Sequence, residues 1–479
     1  MILLLLILPL PAALLAWLIT SEDRRPLLLP VVAVPHFLLS LFCAVQADSR
    51  ISGGWIDLDP LGAVVLLTIS LLFLCCAWYA VGYLRHDRPD RSNRVLVPAL
   101  LLCLAAMTLV CCARHLGLLW VAVAATTLTM APLVYFNRNA RSIEATWKYL
   151  MIGSVGIALA LLGVYFLAYA TLVAGLAGTL NLDDLLAVAP ALDRGWLKAA
   201  FIFLLTGFGA KLGLAPLHTW KPDAYGEAPG LVGALLAGGL TNCGFLALMR
   251  VVQVMTAAGG DDRFFRQSLL AMGLFSMALA AVFLVRQADF KRLLAYSSVE
   301  HVGILALALG LGKGALFGML LHLVGNGLLK GVMFLSSGNL HRAYGSKSTL
   351  GMRGALQVLP WSGSLFLAGF LAISAFPPSL IFLSELGIAT SAFRQGNWLV
   401  GGLFLAILAV VFLGMAPTVL GMVLGPPSGN LPDTGFRDRL QNTLPPACLL
   451  LAVVLLTLWM PPFLGELLLQ GADLLGGMP

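Results

Sequence analysis

The chain has 479 residues, of which 60% are hydrophobic and only 11% are charged. This composition excludes a soluble globular protein and predicts an all-α polytopic membrane protein. The net charge of +7 does not indicate a nucleic-acid partner, because the basic residues are spread through short loops and form no continuous basic stripe.

Apolar stretches of about 20 residues recur along the chain and predict about fourteen transmembrane helices. We place them near residues 2–19, 27–46, 61–83, 95–113, 116–136, 149–174, 198–216, 230–254, 267–285, 294–311, 315–337, 360–392, 399–424 and 445–465. The connections between them are too short to hold a soluble domain, so we expect one integral membrane domain surrounded by lipid.

Basic residues are distributed unequally between the connections. The odd-numbered connections contain eighteen Lys and Arg residues and the even-numbered ones contain eight. By the positive-inside rule the odd connections are cytoplasmic. We therefore expect a multi-pass protein of the bacterial inner membrane with both termini on the periplasmic side.

The segment 209–230, GAKLGLAPLHTWKPDAYGEAPG, places a lysine inside an apolar helix and then breaks that helix. Lys211 is expected at membrane depth, where a lone cation costs about 2.5–3.5 kcal/mol, and Pro216 interrupts the helical hydrogen bonds. A second break is predicted at Phe376-Pro377-Pro378, in a span that runs in the opposite direction. Paired broken helices of opposite orientation indicate inverted repeats with a site near the midplane.

Four ionisable residues are expected at membrane depth: Lys211, Lys330, Glu385 and His322. Buried lysine and carboxylate groups are suited to proton transfer, because moving a counter-charge loads or unloads the proton. Structural roles stay open, since Lys330 could extend to the interface, Glu385 could cap freed amides and His322 could be a packing residue. Arg250, near the end of its span, is interpreted as a structural anchor.

The cysteines do not indicate a metal or redox centre. All eight lie in or beside apolar stretches, with no CxxC pair and no histidine at ligand spacing. No nucleophile triad, phosphate loop or dinucleotide fingerprint is present. We expect no cofactor in this chain and no catalytic activity of its own.

Six motifs carry a resemblance to a known family. The chain resembles the antiporter-like, proton-conducting subunits of respiratory complex I, Mrp-type cation/proton antiporters and membrane-bound NiFe hydrogenases, and is most similar to hydrogenase component F of the formate hydrogenlyase type. The resemblance covers roughly residues 55–424. The motifs are TWKYLMIGSVGIALALLG (146–163), KLGLAPLHTWKPDAYGEAPG (211–230), NCGFLALMR (242–250), DFKRLLAYSSVEHVGILALALG (289–310), LLKGVMFLSSGNL (328–340) and FPPSLIFLSE (376–385).

The resemblance implies two inverted five-helix repeats with broken helices 7 and 12. The implied divisions are 1–94 (helices 1–3), 95–254 (first repeat), 255–424 (second repeat) and 425–479 (a loop and helix 14). It also implies that Lys211 is the central lysine, Lys330 links two half-channels and Glu385 ends the relay. Secondary candidates within or beside the motifs are His218, Glu227, Glu300, His301 and Asn326.

The chain departs from the family pattern at several positions. Ala124 stands where the family has a glutamate that pairs with the central lysine, and Asn326 stands where it usually has a histidine. Lys221 replaces a usual leucine and Tyr225 a usual histidine. Without a carboxylate partner Lys211 is more easily neutralised, because desolvation acts unopposed.

Three functions remain open at this stage. The first is a proton-translocating subunit of a hydrogenase-like or complex-I-like oxidoreductase, whose Fe–S clusters, and NiFe centre in a hydrogenase, lie in partner subunits. Its partners would be other antiporter-like and small membrane subunits with quinone- or hydrogenase-module subunits. The second is a cation/proton antiporter, or the proton-conducting partner of an inorganic-carbon uptake complex. The third is a structural subunit that has lost conduction. Protons and Na⁺ are both candidate coupling ions.

Overall fold

The structure, a computed structural model, describes residues 1–46, 54–85, 92–176, 178–260, 262–427 and 434–476. Within these ranges the chain forms twenty-one α-helices and no β-strand. Short 3₁₀ turns occur at Arg25–Leu27, Tyr135–Asn137 and Ala189–Ala191, and a π-helical turn occurs at Leu235–Leu240.

The α-helices are α1 (Ile2–Ile7), α2 (Pro9–Leu18), α3 (Leu28–Val45), α4 (Pro60–Arg85), α5 (Leu96–Cys112), α6 (Leu116–Val134), α7 (Ala140–Val173), α8 (Leu182–Val188), α9 (Arg194–Leu212), α10 (Trp220–Glu227), α11 (Gly230–Ala234), α12 (Thr241–Ala257), α13 (Arg263–Leu284), α14 (Phe290–Leu311), α15 (Leu316–Tyr344), α16 (Ala355–Val358), α17 (Pro360–Ile373), α18 (Leu380–Arg394), α19 (Trp398–Leu424), α20 (Leu440–Leu458) and α21 (Pro462–Gly476).

Eleven helical segments of the described chain are long and apolar enough to cross a membrane. Three shorter apolar segments, Ile2–Leu18, Leu96–Cys112 and Pro360–Ile373, lie where the sequence analysis places further spans. The all-α membrane class is therefore confirmed, and the number fourteen stays a prediction. Three basic residues that entered the topology count, Arg50, Arg88 and Arg91, lie outside the described residues.

Both expected helix breaks are present. Helix α9 ends at Leu212 and α10 begins at Trp220, while α17 ends at Ile373 and α18 begins at Leu380. Gly213 ends α9 in the left-handed conformation, with φ at 72°, which favours glycine. The predicted interruptions in the two spans are thus confirmed.

Glycines bring the helices that carry the candidate site residues into close contact. A Cβ added to Gly207 of α9 would come 2.6 Å from the carbonyl oxygen of Gly156 in α7. A Cβ added to Gly303 of α14 would come 2.8 Å from the carbonyl oxygen of Gly273 in α13. Small residues at such crossings let transmembrane backbones approach closely. The positions of α9 and α14 are therefore fixed by backbone contact.

Helix α21 was not anticipated from the sequence. Its 15 residues are too few to span a bilayer, and Glu466 and Asp473 interrupt its apolar pattern. It packs against α4 and α15, and Gly471 faces Leu61 and Leu320. The C-terminal segment therefore covers one side of the helix that carries Lys330.

A buried group of four charged residues, which we call the anchor cluster, ties together distant parts of the chain. Arg250 binds both carboxylate oxygens of Asp59, at 2.5 and 2.6 Å. Arg114 donates to the same carboxylate at 2.7 Å and also to Asp183. The cluster joins α12 to the start of α4, to α8 and to the loop before α6, so these contacts are those of a structural anchor, as interpreted for Arg250.

Candidate functional site

Lys211 lies at the end of α9 and is buried. Its ammonium donates to the hydroxyl of Thr127 at 2.6 Å and to the hydroxyl of Tyr149 at 3.1 Å. In the described part of the chain no carboxylate oxygen lies within 4.0 Å of this ammonium. Two hydroxyl oxygens therefore hold the ammonium of Lys211.

The position of Ala124 explains why hydroxyl groups, and not a carboxylate, bind the ammonium of Lys211. Ala124 lies on α6 one turn before Thr127, so a longer acidic side chain at 124 would start close to the hydroxyl that now binds Lys211. Sequence reasoning identified the missing carboxylate but not its replacements. Neither residue stood out in the sequence, because Thr127 is one of three threonines in α6 and Tyr149 follows the polar start of α7.

Two further lysines converge on consecutive residues of α14. The ammonium of Lys330, on α15, donates to the hydroxyl of Ser297 at 2.8 Å. The ammonium of Lys221, on α10, lies 3.1 Å from the hydroxyl of Ser298. Both lysines are 0% exposed. The sequence analysis noted Lys221 as a departure from the family pattern and counted it among the basic residues of the odd connections, whereas the structure buries it near Lys330.

The break in α9 makes room for Lys221. A Cβ on Gly213 would come 2.6 Å from Cδ of Lys221. Glycine at this position therefore satisfies both the left-handed backbone and the close passage of the lysine stem.

Aromatic side chains connect the surroundings of Lys211 with those of Lys221. The rings of Tyr149 and Trp220 lie 5.1 Å apart, and those of Trp220 and Tyr225 lie 6.2 Å apart. The ammonium of Lys221 lies 5.8 Å from the centre of the Tyr225 ring. The buried hydroxyl of Tyr225 has no hydrogen-bond partner among the described residues. The region between the two lysines thus contains two phenol groups.

His301 and His322, which we call the imidazole pair, are in direct contact. Nδ1 of His301 lies 3.0 Å from Nε2 of His322, and Nδ1 of His322 lies 2.9 Å from Oγ of Ser384. Ser384 donates its single hydrogen to the carbonyl of Ile381 at 2.7 Å, so it accepts from His322. We therefore assign the His322 proton to Nδ1 and the His301 proton to Nδ1, which leaves Nε2 of His301 as an acceptor.

Two buried carboxylates border a cavity beside the imidazole pair. Oε2 of Glu300 lies 3.7 Å from Nε2 of His301. A cavity of about 180 Å³ is lined by Ser297, Glu300, His301 and Glu385, and its remaining wall is formed by the end of α17, the start of the break that follows it and apolar residues of α19. Because Ser297 also binds Lys330, this cavity adjoins the lysine, both carboxylates and the imidazole pair.

The remaining secondary candidates lie outside this group. Glu227 pairs with Lys347 at 2.9 Å. His218 is buried between α9 and α10, and its Nδ1 has no partner among the described residues. Asn326 lies one turn before Lys330, and neither polar atom of its side chain has a partner in the described chain. Three buried polar atoms without protein partners thus accompany the lysines.

The sequence and fold of the chain match those of known proteins. Residues 113–412 match the family described as NADH:quinone oxidoreductase/Mrp antiporter, TM. This range includes every side chain of the site described above, from Thr127 to Glu385.

Individual relatives extend the match over most of the chain. The chain is 34% identical over 388 residues to a hydrogenase-4 component F homolog of Methylacidiphilum infernorum, covering 78% of this chain and 80% of the relative. It is 31% identical over 391 residues to NADH-quinone oxidoreductase subunit N of Desulforudis audaxviator, covering 81% and 75%. A chain of the archaeal membrane-bound sulfane sulfur reductase superposes with a TM-score of 0.88 at 22% identity, covering 99% and 97%, a similarity of fold.

Proposed function

Since the chain belongs to the family of NADH:quinone oxidoreductase and Mrp antiporter transmembrane proteins, we propose that it is a proton-translocating subunit of a multi-subunit oxidoreductase of the hydrogenase or complex I type. Electron transfer in partner subunits, which hold the Fe–S clusters and in a hydrogenase the NiFe centre, drives proton movement through this chain. The names of the relatives support membrane and redox subunits as partners.

The contact of Lys330 with the cavity wall carries this proposal. Ser297 accepts from Lys330 and lines the cavity that also borders Glu300 and His301. A desolvated lysine without a tight ion pair gives up its proton readily, and a neighbouring charge shifts that balance. A proton released by Lys330 therefore has an acceptor carboxylate at the same cavity, because Glu300 lies one helical turn after Ser297 on α14.

The imidazole pair continues the path. When Nε2 of His301 accepts a proton from Glu300, its Nδ1 can pass a proton to Nε2 of His322, 3.0 Å away. The 3.7 Å gap between Glu300 and His301 is closed by one bridging water or a small rotation of the carboxylate. A proton on His322 can then pass through one water to Glu385, because a carboxylate oxygen of Glu385 lies within 4.8 Å of a ring nitrogen of His322. Imidazoles in series suit such transfer, because each ring accepts at one nitrogen and donates at the other.

Charge changes can also pass between the three buried lysines, which do not belong to the imidazole pair. Lys221 and Lys330 face consecutive serines of α14, so protonation of one disfavours protonation of the other. Lys211, held by two hydroxyls, is the third buried cation, and the phenols of Tyr149 and Tyr225 lie between it and Lys221. We propose that a charge change at Lys211 reaches Lys330 through Lys221.

We further propose the arrangement that the resemblance implies: an N-terminal unit (1–94), two inverted repeats (95–254 and 255–424) and a C-terminal unit (425–479). The two helix breaks support it, since one falls in each repeat. The unequal distribution of basic residues supports periplasmic termini in a bacterial inner membrane.

A specific observation favours a second candidate, a structural subunit with lost conduction. Lys211 has hydroxyl partners where a carboxylate would couple it to the rest of the relay. In that case the chain would keep the fold, and a partner subunit would conduct the protons.

The test begins with the tagged chain purified from its own membranes in mild detergent. Partners are identified by mass spectrometry, iron and nickel are quantified, and the complex is reconstituted into vesicles. We expect redox subunits, bound iron and proton movement driven by electron transfer. Recovery with membrane subunits alone and no iron would contradict the oxidoreductase assignment. Proton movement that is unchanged in Lys211→Met would favour the structural subunit, because a partner subunit would then conduct the protons.

A further inference from the structure

The imidazole pair and Glu385 together have the composition of a transition-metal site. Each of the three residues is buried and offers one ligand atom, and these atoms lie within 4.8 Å of one another. Ligands at about 2.0–2.1 Å from a tetrahedral zinc ion are about 3.3 Å apart. The two imidazole nitrogens, 3.0 Å apart, are already close to this spacing. A carboxylate oxygen of Glu385 lies within 4.8 Å of a ligand nitrogen of each histidine, so a movement of at most about 1.5 Å brings it to this spacing.

The groups around the two imidazoles support metal binding. Ligating histidines normally donate their second ring N–H to a carboxylate or another acceptor, which fixes the ring and raises its basicity. Ser384 accepts from Nδ1 of His322. Glu300 lies 3.7 Å from Nε2 of His301, so it can accept a hydrogen bond from that nitrogen, through one water or after a small rotation, once the His301 proton moves from Nδ1 to Nε2. Both facing nitrogens, Nδ1 of His301 and Nε2 of His322, then present lone pairs.

The cavity beside the carboxylates provides the space that a metal site needs in addition to its three protein ligands. Its volume of about 180 Å³ is large enough to hold a water molecule. It borders Glu300, His301 and Glu385, so it leaves room for a water as fourth ligand and for the movement of Glu385. A site with three protein ligands and one open position is typical of exchangeable zinc.

We propose that His301, His322 and Glu385 bind a divalent transition metal, with Zn²⁺ as the best fit to two imidazoles and one carboxylate, and that bound metal blocks proton transfer along the imidazole pair. The block follows because the metal occupies the two nitrogens between which the proton would pass. The block of proton transfer rests on the proposed function, whereas metal binding does not.

Binding is measured on the purified complex by titration with Co²⁺, whose tetrahedral coordination gives an intense visible absorption, and by competition with Zn²⁺. We expect one site per chain that is weakened more than tenfold in His322→Gln and in Glu385→Gln. Ser384→Ala leaves all three ligands in place and removes an outer acceptor, so we expect a loss of about 10–100-fold in affinity. The matched control is His36→Gln, because His36 is also buried and binds Thr108 on α5 and Ser70 on α4, helices that carry none of the three ligands.

The result that would overturn the proposal is absence of tetrahedral Co²⁺ binding in the wild-type complex, or equal affinity in the wild type and in all three cluster variants. Ser384→Ala distinguishes a loss of metal binding from a loss of folding. It alters no ligand, and its metal affinity is compared with that of the wild type at equal yield and thermal stability. Proton movement is measured in the same vesicles. Metal binding without any proton movement would support the metal site and contradict the proposed function. Proton movement without metal binding would support the proposed function and contradict the metal site.

Discussion

Nδ1 of His301 lies 3.0 Å from Nε2 of His322, although the two residues are 21 positions apart and belong to different helices. With Ser384 fixed as an acceptor, the pair forms a directional series of hydrogen bonds from the cavity at Glu300 to α18. The arrangement makes both histidines functional candidates of equal rank. It argues against the alternative that His322 is a packing residue alone.

Replacement of His322 by Gln should interrupt this series. Glutamine preserves approximate size and hydrogen bonding but cannot accept and release a proton near neutral pH. We expect proton movement per electron transferred to fall roughly tenfold or more, with electron transfer less affected. The measurement is the proton-to-electron ratio in reconstituted vesicles. His36→Gln, a change of the same type at a buried histidine on α3, should leave the ratio within the error of the wild type.

Substitution of Ala124 by Glu separates the two candidate functions. If Thr127 and Tyr149 suffice to hold Lys211 in a working relay, the new carboxylate should change the proton-to-electron ratio by less than about threefold. If the chain is a structural subunit because it lacks this carboxylate, Glu at 124 should raise proton movement above the level that the partner subunits supply. Ala124→Gln, which adds similar bulk without charge, identifies the part of any change that is due to size.

Removal of one charge from the anchor cluster should destabilise the protein. Asp59→Asn leaves Arg250 and Arg114 buried without their shared carboxylate, which typically costs about 3–5 kcal/mol. The free energy of unfolding can be followed by SDS titration in mixed micelles. Asp184→Asn is the control, because Asp184 is exposed and, among the described residues, its carboxylate accepts a side-chain hydrogen bond from the hydroxyl of Thr179 and from no buried arginine. Equal stability of the two variants would contradict the anchoring role.

The same cluster predicts a dependence on pH. Burial alone would raise the pKa of Asp59, but the charge of Arg250, its hydrogen bonds and the charge of Arg114 lower this pKa to about 2. Because the folded-state pKa lies below the unfolded value of about 3.9, the stabilisation is complete above about pH 4 and is lost as the pH falls towards 2. The stability difference between wild type and Asp59→Asn should therefore shrink over that interval. A constant difference would contradict the assignment.

Gly213→Ala tests the coupling between the helix break and Lys221. Alanine in the left-handed conformation costs about 1–2 kcal/mol, and its Cβ would also displace the lysine stem. The control is Gly259→Ala, because Gly259 has φ at 67° and no atom within 4 Å of the added Cβ. We expect Gly213→Ala to reduce proton movement and Gly259→Ala to affect stability alone. Equal proton movement in both variants would exclude a role for the position of Lys221.

Much of the fold was predictable because a membrane imposes simple rules on a sequence. Apolar length identified the all-α class, and Pro216 and Pro377-Pro378 marked both helix breaks. The resemblance to the family is also confirmed. Helix α21 was missed, because a short segment with two acidic residues gives no signal for a span.

The candidate site was predictable in its composition but not in its contacts. The sequence identified Lys211, Lys330, Glu385 and His322 as ionisable groups at membrane depth. It could not pair His322 with His301, because helices α14 and α15 determine that contact through their packing. Nor could it place Lys221 beside Lys330, since the passage at Gly213 depends on the shape of the break. The serine and threonine hydroxyls that bind the buried lysines were missed because Ser and Thr are common in transmembrane helices.

The central claim is that buried lysines of this chain transfer protons during electron transfer in the complex. The most direct measurement is the proton-to-electron ratio of vesicles containing the purified complex with Lys211→Met, compared with Lys313→Met, in which the replaced lysine is exposed. We predict that Lys211→Met abolishes the coupled proton movement assigned to this subunit, whereas Lys313→Met retains it. Full coupling in Lys211→Met would contradict the account.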